Sequence, residues 1–173
     1  MTKLNMAEVA KRLDSGTVAI SIADATQTDM PLVYVNAAFT AMTGFAANRV
    51  IGQNCRFLQR DLDNEAPRAR MRDALARGAP AQVVFRNRRA DGTEFDNLVV
   101  IEPLTDRSGN LIYIVGSQFV LQDDTRPAKA RSAGHQIVQE IDKLLELNER
   151  LRATSRQALA RSMAATVKLW LER

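Results

Sequence analysis

Cysteine and histidine are nearly absent from this 173-residue chain, which has one of each, Cys55 and His135. A single thiol excludes an internal disulfide and any multi-thiolate metal centre. A thiol nucleophile needs a base beside it, and the only histidine lies far from Cys55 in sequence. Aromatics are sparse, at 5%, with one tryptophan, Trp170. Long apolar runs are missing: TVAISIA and NLVVIEPL fall far short of the roughly 20 residues that span a bilayer. The opening MTKLNMAEVAKRL lacks the apolar stretch of a secretory signal. A cytoplasmic location without membrane attachment is therefore expected. Paired catalytic carboxylates, a P-loop, a dinucleotide fingerprint and a kinase signature are also missing, so no enzyme is expected.

What is present suits a packed domain. Apolar residues make up 46% of the chain and charged residues 25%. The net charge of +4 is uneven: residues 1–125 carry 14 basic against 15 acidic side chains, and residues 126–173 carry 10 against 5. A basic tail suits nucleic acid or acidic lipid, but the commoner meaning is a solvated helix face.

Asn5 with Glu8 three residues on fits a capping box, and Met6, Val9, Ala10 and Leu13 form an apolar stripe. This predicts a helix over 5–14 within an N-terminal cap, residues 1–16. TVAISI (17–22) and PLVYVN (31–36) read as strands. AAFTAMTG reads as a short helix stopped by Gly44, and EAPRARMRDALARG as a longer one with Pro67 near its start and Gly78 past its end. Strand-like runs follow at 81–89, 94–102 and 111–121, separated by the turns ADGT and DRSGN. The pattern predicts an α+β core over 17–121, a five-stranded antiparallel sheet with short helices on one face.

A polar linker or helix start is expected over 122–134 and a helical extension of two helices over 135–173. Ile137, Ile141, Leu144, Asn148 and Leu151 fall at alternating steps of four and three, a narrow coiled-coil-like seam. Thr154 with Gln157 marks a second helix start, and Leu159, Met163, Val167, Trp170 and Leu171 a second stripe.

The functional signal sits in two places. The first is IGQNCRFLQRD, residues 51–61, around Cys55. A lone cysteine is usually a buried structural residue, and Arg56 beside it is expected to lower its pKa slightly. The second is a set of amides, Asn87, Asn97 and Gln118, inside strand-like runs where Asn in particular is disfavoured. Asn87 and Asn97 share a strand face with apolar neighbours. If that face is buried, the amides need partners, which a flat heteroaromatic with alternating donors and acceptors supplies. The other reading is three solvent-facing amides.

NCRFLQ (54–59) resembles the signature of LOV photoreceptors, the flavin-binding, blue-light-sensing branch of the PAS fold. FTAMTGF, RVIGQNCRFLQ, MRDAL, FRNRRADG, FDNLVVIEPL and YIVGSQ are similar to further blocks of that family in the same order. The resemblance covers residues 17–121 and implies the PAS/LOV fold. It implies that Cys55 is the photoreactive residue, whose sulfur bonds reversibly to flavin C4a after blue light. It implies phosphate contacts from Arg56 and Arg72, ribityl contacts from Asn54 and Gln59, and ring contacts from Asn87 and Asn97. Gln118 then matches the amide that reads the protonation of flavin N5. The stretch from Gln59 to Arg72 has no insertion for an adenine, which favours FMN over FAD. Arg60 stands where a small residue is common in the family. Arg68 and Arg70 add positive charge near the implied phosphate site; they either help bind the phosphate or form the solvated face of a helix, the commoner case.

The resemblance is to short bacterial LOV proteins, whose output runs through flanking helices. A homodimer through residues 5–14 and the C-terminal helices is expected, with light changing its association or geometry and Asn148 setting register. Two alternatives remain. One is a light-regulated DNA-binding protein using the basic C-terminal helices, disfavoured because the last helix also carries an apolar stripe. The other is a PAS redox or ligand sensor without photochemistry.

Overall fold

The computed structural model describes residues 5–106, 108–123 and 156–169. The seam over 137–151, His135, Thr154 and Trp170 lie outside the described residues.

Helix α1 (Met6–Leu13) begins at Asn5, whose side chain accepts from the amides of Ala7 and Glu8. The Glu8 carboxylate accepts from Arg12 Nε at 2.9 Å, one turn on. Strands β1 (Ala19–Asp24) and β2 (Leu32–Val35) pair antiparallel. Helices α2 (Ala37–Thr43), α3 (Ala47–Val50) and α4 (Glu65–Ala76) then cross one face, with a 3₁₀ turn at Cys55–Leu58. Strands β3 (Ala81–Arg88), β4 (Glu94–Thr105) and β5 (Leu111–Asp123) complete a sheet of order β2-β1-β5-β4-β3, antiparallel at every pairing. Residues 156–169 form a further helix, α5. This is the α+β, five-stranded architecture expected from the sequence.

Local chemistry explains the boundaries. Asn36 is 1% exposed and satisfies three elements at once. Its Oδ1 accepts from Phe39 N at the start of α2 and from Ile20 N, and its Nδ2 donates to Val18 O and Leu13 O. Gly44 ends α2 at φ +74, a left-handed cap that favours glycine. Asn64 ties the start of α4 to β3, donating to Arg86 O and accepting from Arg86 N, both at 2.8 Å. Strand β4 runs past the expected end at 102 and carries Pro103. Its pairing with β3 stops at Ile101, so the proline lies where β4 has β5 alone as neighbour.

Strand alternation divides the core. Ile20, Ile22 and Val115 face α1 and α5, packing with Val9, Leu13, Ala164 and Val167. Ala19, Leu32 and Val35 face the short helices with Phe39, Val50 and Leu58. Helix α5 corrects the expected second stripe. Ala160, Ala164 and Val167 are its buried residues, Met163 packs beside them, and Leu159 is 50% exposed. The sheet selects small residues because α5 lies close against it: Ala160 sits on Leu98 and Val100, beside Phe119. Arg156 lies over the Phe119 ring at 5.7 Å, and Arg161 reaches Glu102 at 3.8 Å. Val9 and Leu13 of α1 and Ala160, Ala164 and Val167 of α5 are thus covered by the chain's own sheet, while Leu159 and Leu169 of α5 stay exposed.

Candidate functional site

The cysteine segment is fixed from both sides. Gly52 N donates to Leu32 O and Leu32 N donates to Gln53 O, both at 2.8 Å, which pins the approach to β2. Asn54 caps the 3₁₀ turn, accepting from Arg56 N at 3.0 Å, and its Nδ2 donates to Asp29 O. Leu58 is fully buried, and Phe57 meets Phe45 edge to face at 5.2 Å. The turn therefore holds Cys55 at the wall of a cavity of about 570 Å³. That volume suits a small-molecule ligand.

All eight sequence-predicted residues line this cavity: Asn54, Cys55, Arg56, Gln59, Arg72, Asn87, Asn97 and Gln118. The amides come from three neighbouring strands, opposed by apolar residues in register: Phe85 faces Asn97 and Val99 faces Gln118. A register shift in the β4–β5 ladder falls between Asp96 and Asn97, an irregularity of the kind that re-aims side chains at sites. Asn87, Asn97 and Gln118 are 3%, 1% and 3% exposed. The solvent-facing reading of these amides is therefore overturned. Asn87 Oδ1, both polar atoms of Asn97, and Gln118 Oε1 have no hydrogen-bond partner. Such groups are costly to leave unpaired. Together with the apolar residues between them, they form a floor suited to a flat group with donors and acceptors on its edge.

The mouth is cationic. Arg56 and Arg72 are exposed and Arg68 is half-buried. Arg56 pairs with Asp29, and Arg68 Nε donates to Gln59 Oε1 at 2.6 Å. Of the two arginines read either as phosphate contacts or as a solvated helix face, Arg68 lines the cavity. Its spacing of four from Arg72 places both guanidiniums on one side of α4, a signal that was available. Asp29 and Met30, both at the cavity, hold φ of +69 and +48, uncommon for residues with side chains.

Burial pushes the Cys55 thiol up to about 12. The expected lowering by Arg56 is absent, because desolvation dominates and the guanidinium is engaged by Asp29. The thiol is protonated at neutral pH and is no ground-state nucleophile. Among the described residues, no group of His, Cys, Asp and Glu is placed to hold a metal ion, and no helix is long and apolar enough to cross a membrane.

Residues 17–125 match the PAS domain family. A solved Rhodobacter sphaeroides LOV protein is 34% identical with a TM-score of 0.64, the match covering 97% of each chain. The chain belongs to the LOV photoreceptors of the PAS family. Among curated relatives, the Listeria monocytogenes blue-light photoreceptor is 38% identical over 64% of this chain and 43% of its own. The Erythrobacter litoralis blue-light-activated histidine kinase 1 is 42% identical over 61% of this chain and 29% of its own. This LOV chain thus spans less than half the length of the curated relatives it matches.

Proposed function

We propose that the chain senses blue light through FMN held in this cavity, with Cys55 as the photoreactive residue and a reversible change in helix packing as output. The observation that carries the reading is the set of unpaired, buried amides around an apolar cavity that also holds the only thiol. Bound there, the flavin supplies blue-light absorption and an excited state able to accept a reversible bond from sulfur.

The chain's own residues do the rest. Asn87 and Asn97 offer donors and acceptors to the pyrimidine edge of the ring. Arg56, Arg68 and Arg72 offer fork-shaped donors to a terminal phosphate, the group that separates FMN from riboflavin. Gln59 and Asn54 border the path between ring and phosphate. Desolvation keeps the Cys55 proton on sulfur in the dark, so the thiol stays inert until light activates its partner. Activation by light replaces the general base that a thiol hydrolase needs.

Gln118 connects the cavity to the output. Its neighbours on β5, Ser117 and Phe119, point to the opposite face, where Phe119 meets Arg156 and packs beside Ala160. A changed pairing at Gln118 therefore reaches α5 within one strand. A homodimer is the proposed assembly. Its proposed contact runs through residues 5–14 and the C-terminal helices, and the exposed Leu159 and Leu169 of α5 support it.

The decisive experiment is optical. Purified protein supplied with FMN should be yellow, bleach under blue light and recover in darkness. Cys55→Ala should keep the colour and lose the bleaching. A colourless protein refutes the cofactor, and a yellow protein that never bleaches supports the ligand-sensor alternative.

A further inference from the structure

We propose that Ser21 is a positioning residue for Gln118, a two-way partner whose hydroxyl supports the amide in either orientation. This rests on the flavin reading of the cavity and adds a residue that the cysteine motif does not contain. Gln118 Nε2 donates to Ser21 Oγ at 2.7 Å, both residues being buried. Gln118 Oε1 is left unpaired, as the end available to a cavity ligand.

The space for this pair is made by a third residue. Gly116 stands opposite Ser21 in the β1–β5 register. A Cβ there would lie 2.9 Å from Ser21 Oγ and 3.0 Å from Gln118 Nε2. Its backbone is outside the left-handed region, so φ does not demand glycine; the hydrogen bond does.

A hydroxyl both donates and accepts, and an amide has one end of each kind. With Nε2 on Ser21, Oε1 faces the ligand and calls for a donor. After a half-turn of the amide, Oε1 accepts from the Ser21 hydroxyl and Nε2 calls for an acceptor. An apolar residue at position 21 supports neither pose, and a carboxylate or ammonium supports only one. Ser21 thus lets Gln118 follow a proton arriving at or leaving the ring edge without stranding its far end, and it passes the change to β1.

The test uses the full chain, with and without FMN. In flavin-free protein, the Gln118 side-chain NH₂ resonances in ¹⁵N NMR should move in Ser21→Ala and return in Ser21→Thr. Gly116→Ala, with Ser21 intact, should move them too. In FMN-loaded protein, Ser21→Ala should change the dark-recovery rate after blue light by about fivefold, the factor expected for one net hydrogen bond. Ser21→Thr should stay within about twofold of wild type, and in a Gln118→Leu background Ser21→Ala should add less than about twofold. Unmoved resonances in both Ser21→Ala and Gly116→Ala overturn the proposal. An undiminished recovery effect in the Gln118→Leu background overturns it as well, because Ser21 then acts by packing alone. A wild type that neither binds FMN nor bleaches sinks the flavin reading instead, while the flavin-free spectra still decide the Ser21–Gln118 pairing.

Discussion

Asn97→Leu separates the two demands placed on the cavity floor. Asn97 is 1% exposed, and neither its Nδ2 nor its Oδ1 has a partner. A buried unsatisfied polar group costs about 1–3 kcal/mol; allowing for the two atoms sharing one amide, relief of about 2 kcal/mol is expected in flavin-free protein. For a chain of this size that corresponds to a rise in Tm of roughly 4–8 °C. On the proposed reading, in which Asn97 Nδ2 and Oδ1 each pair with FMN, the same substitution would remove two hydrogen bonds worth about 1 kcal/mol each, so FMN should bind roughly 30-fold more weakly. Thermal unfolding of flavin-free protein reads the first effect, and fluorescence titration with FMN reads the second. A leucine variant no more stable than wild type, or one that binds FMN as tightly, refutes the reasoning that these amides are held in reserve for a ligand.

The Cys55 thiol in flavin-free protein should react with iodoacetamide far more slowly than free cysteine at pH 8, because burial holds its pKa at about 12. Its folded pKa is raised, so the stability tied to the neutral thiol is intact below the ordinary value of 9.0 and is lost as pH climbs from there toward about 12; Cys55→Ala should flatten that decline in urea midpoints. Val167 is fully buried between α5 and the sheet, and Val167→Ala should cost about 2 kcal/mol in urea unfolding while leaving flavin binding unchanged, as the cavity is on the opposite face. Light scattering in darkness and under blue light should show a dimer whose affinity shifts by roughly 5- to 150-fold, the span of a coupling of about 1–3 kcal/mol. Identical mass and shape in both conditions would remove dimerisation as the output.

The legible parts were those where one residue type has one structural use. Gly44 marked the end of α2 because a left-handed cap leaves few alternatives, and Asn5 marked the start of α1. Amides inside β-strands stood out because strands disfavour them, and that oddity led to the cavity. Arg68 stayed between two readings because a guanidinium on a helix has two ordinary destinations, water and a partner. Its contact with Gln59 joins positions nine apart, which no helical period predicts. Leu159 was read into the apolar stripe by hydrophobicity, yet it is half exposed and Ala160 beside it is the buried residue, because packing on a sheet accommodates a small side chain.

Periodicity and turn chemistry, read along the chain, were enough to define the order of elements, the alternating faces of each strand and the chemical oddities worth a site. They act between near neighbours, so they are written locally. Whether the amides faced inward, what desolvation did to the thiol, and which residue stood behind Gln118 were settled only by folding. Ser21 and Gln118 are 97 positions apart in sequence, and their meeting depends on β1 and β5 lying side by side. Burial, likewise, belongs to no single stretch of chain, because the layers on both sides must be assembled before water is excluded.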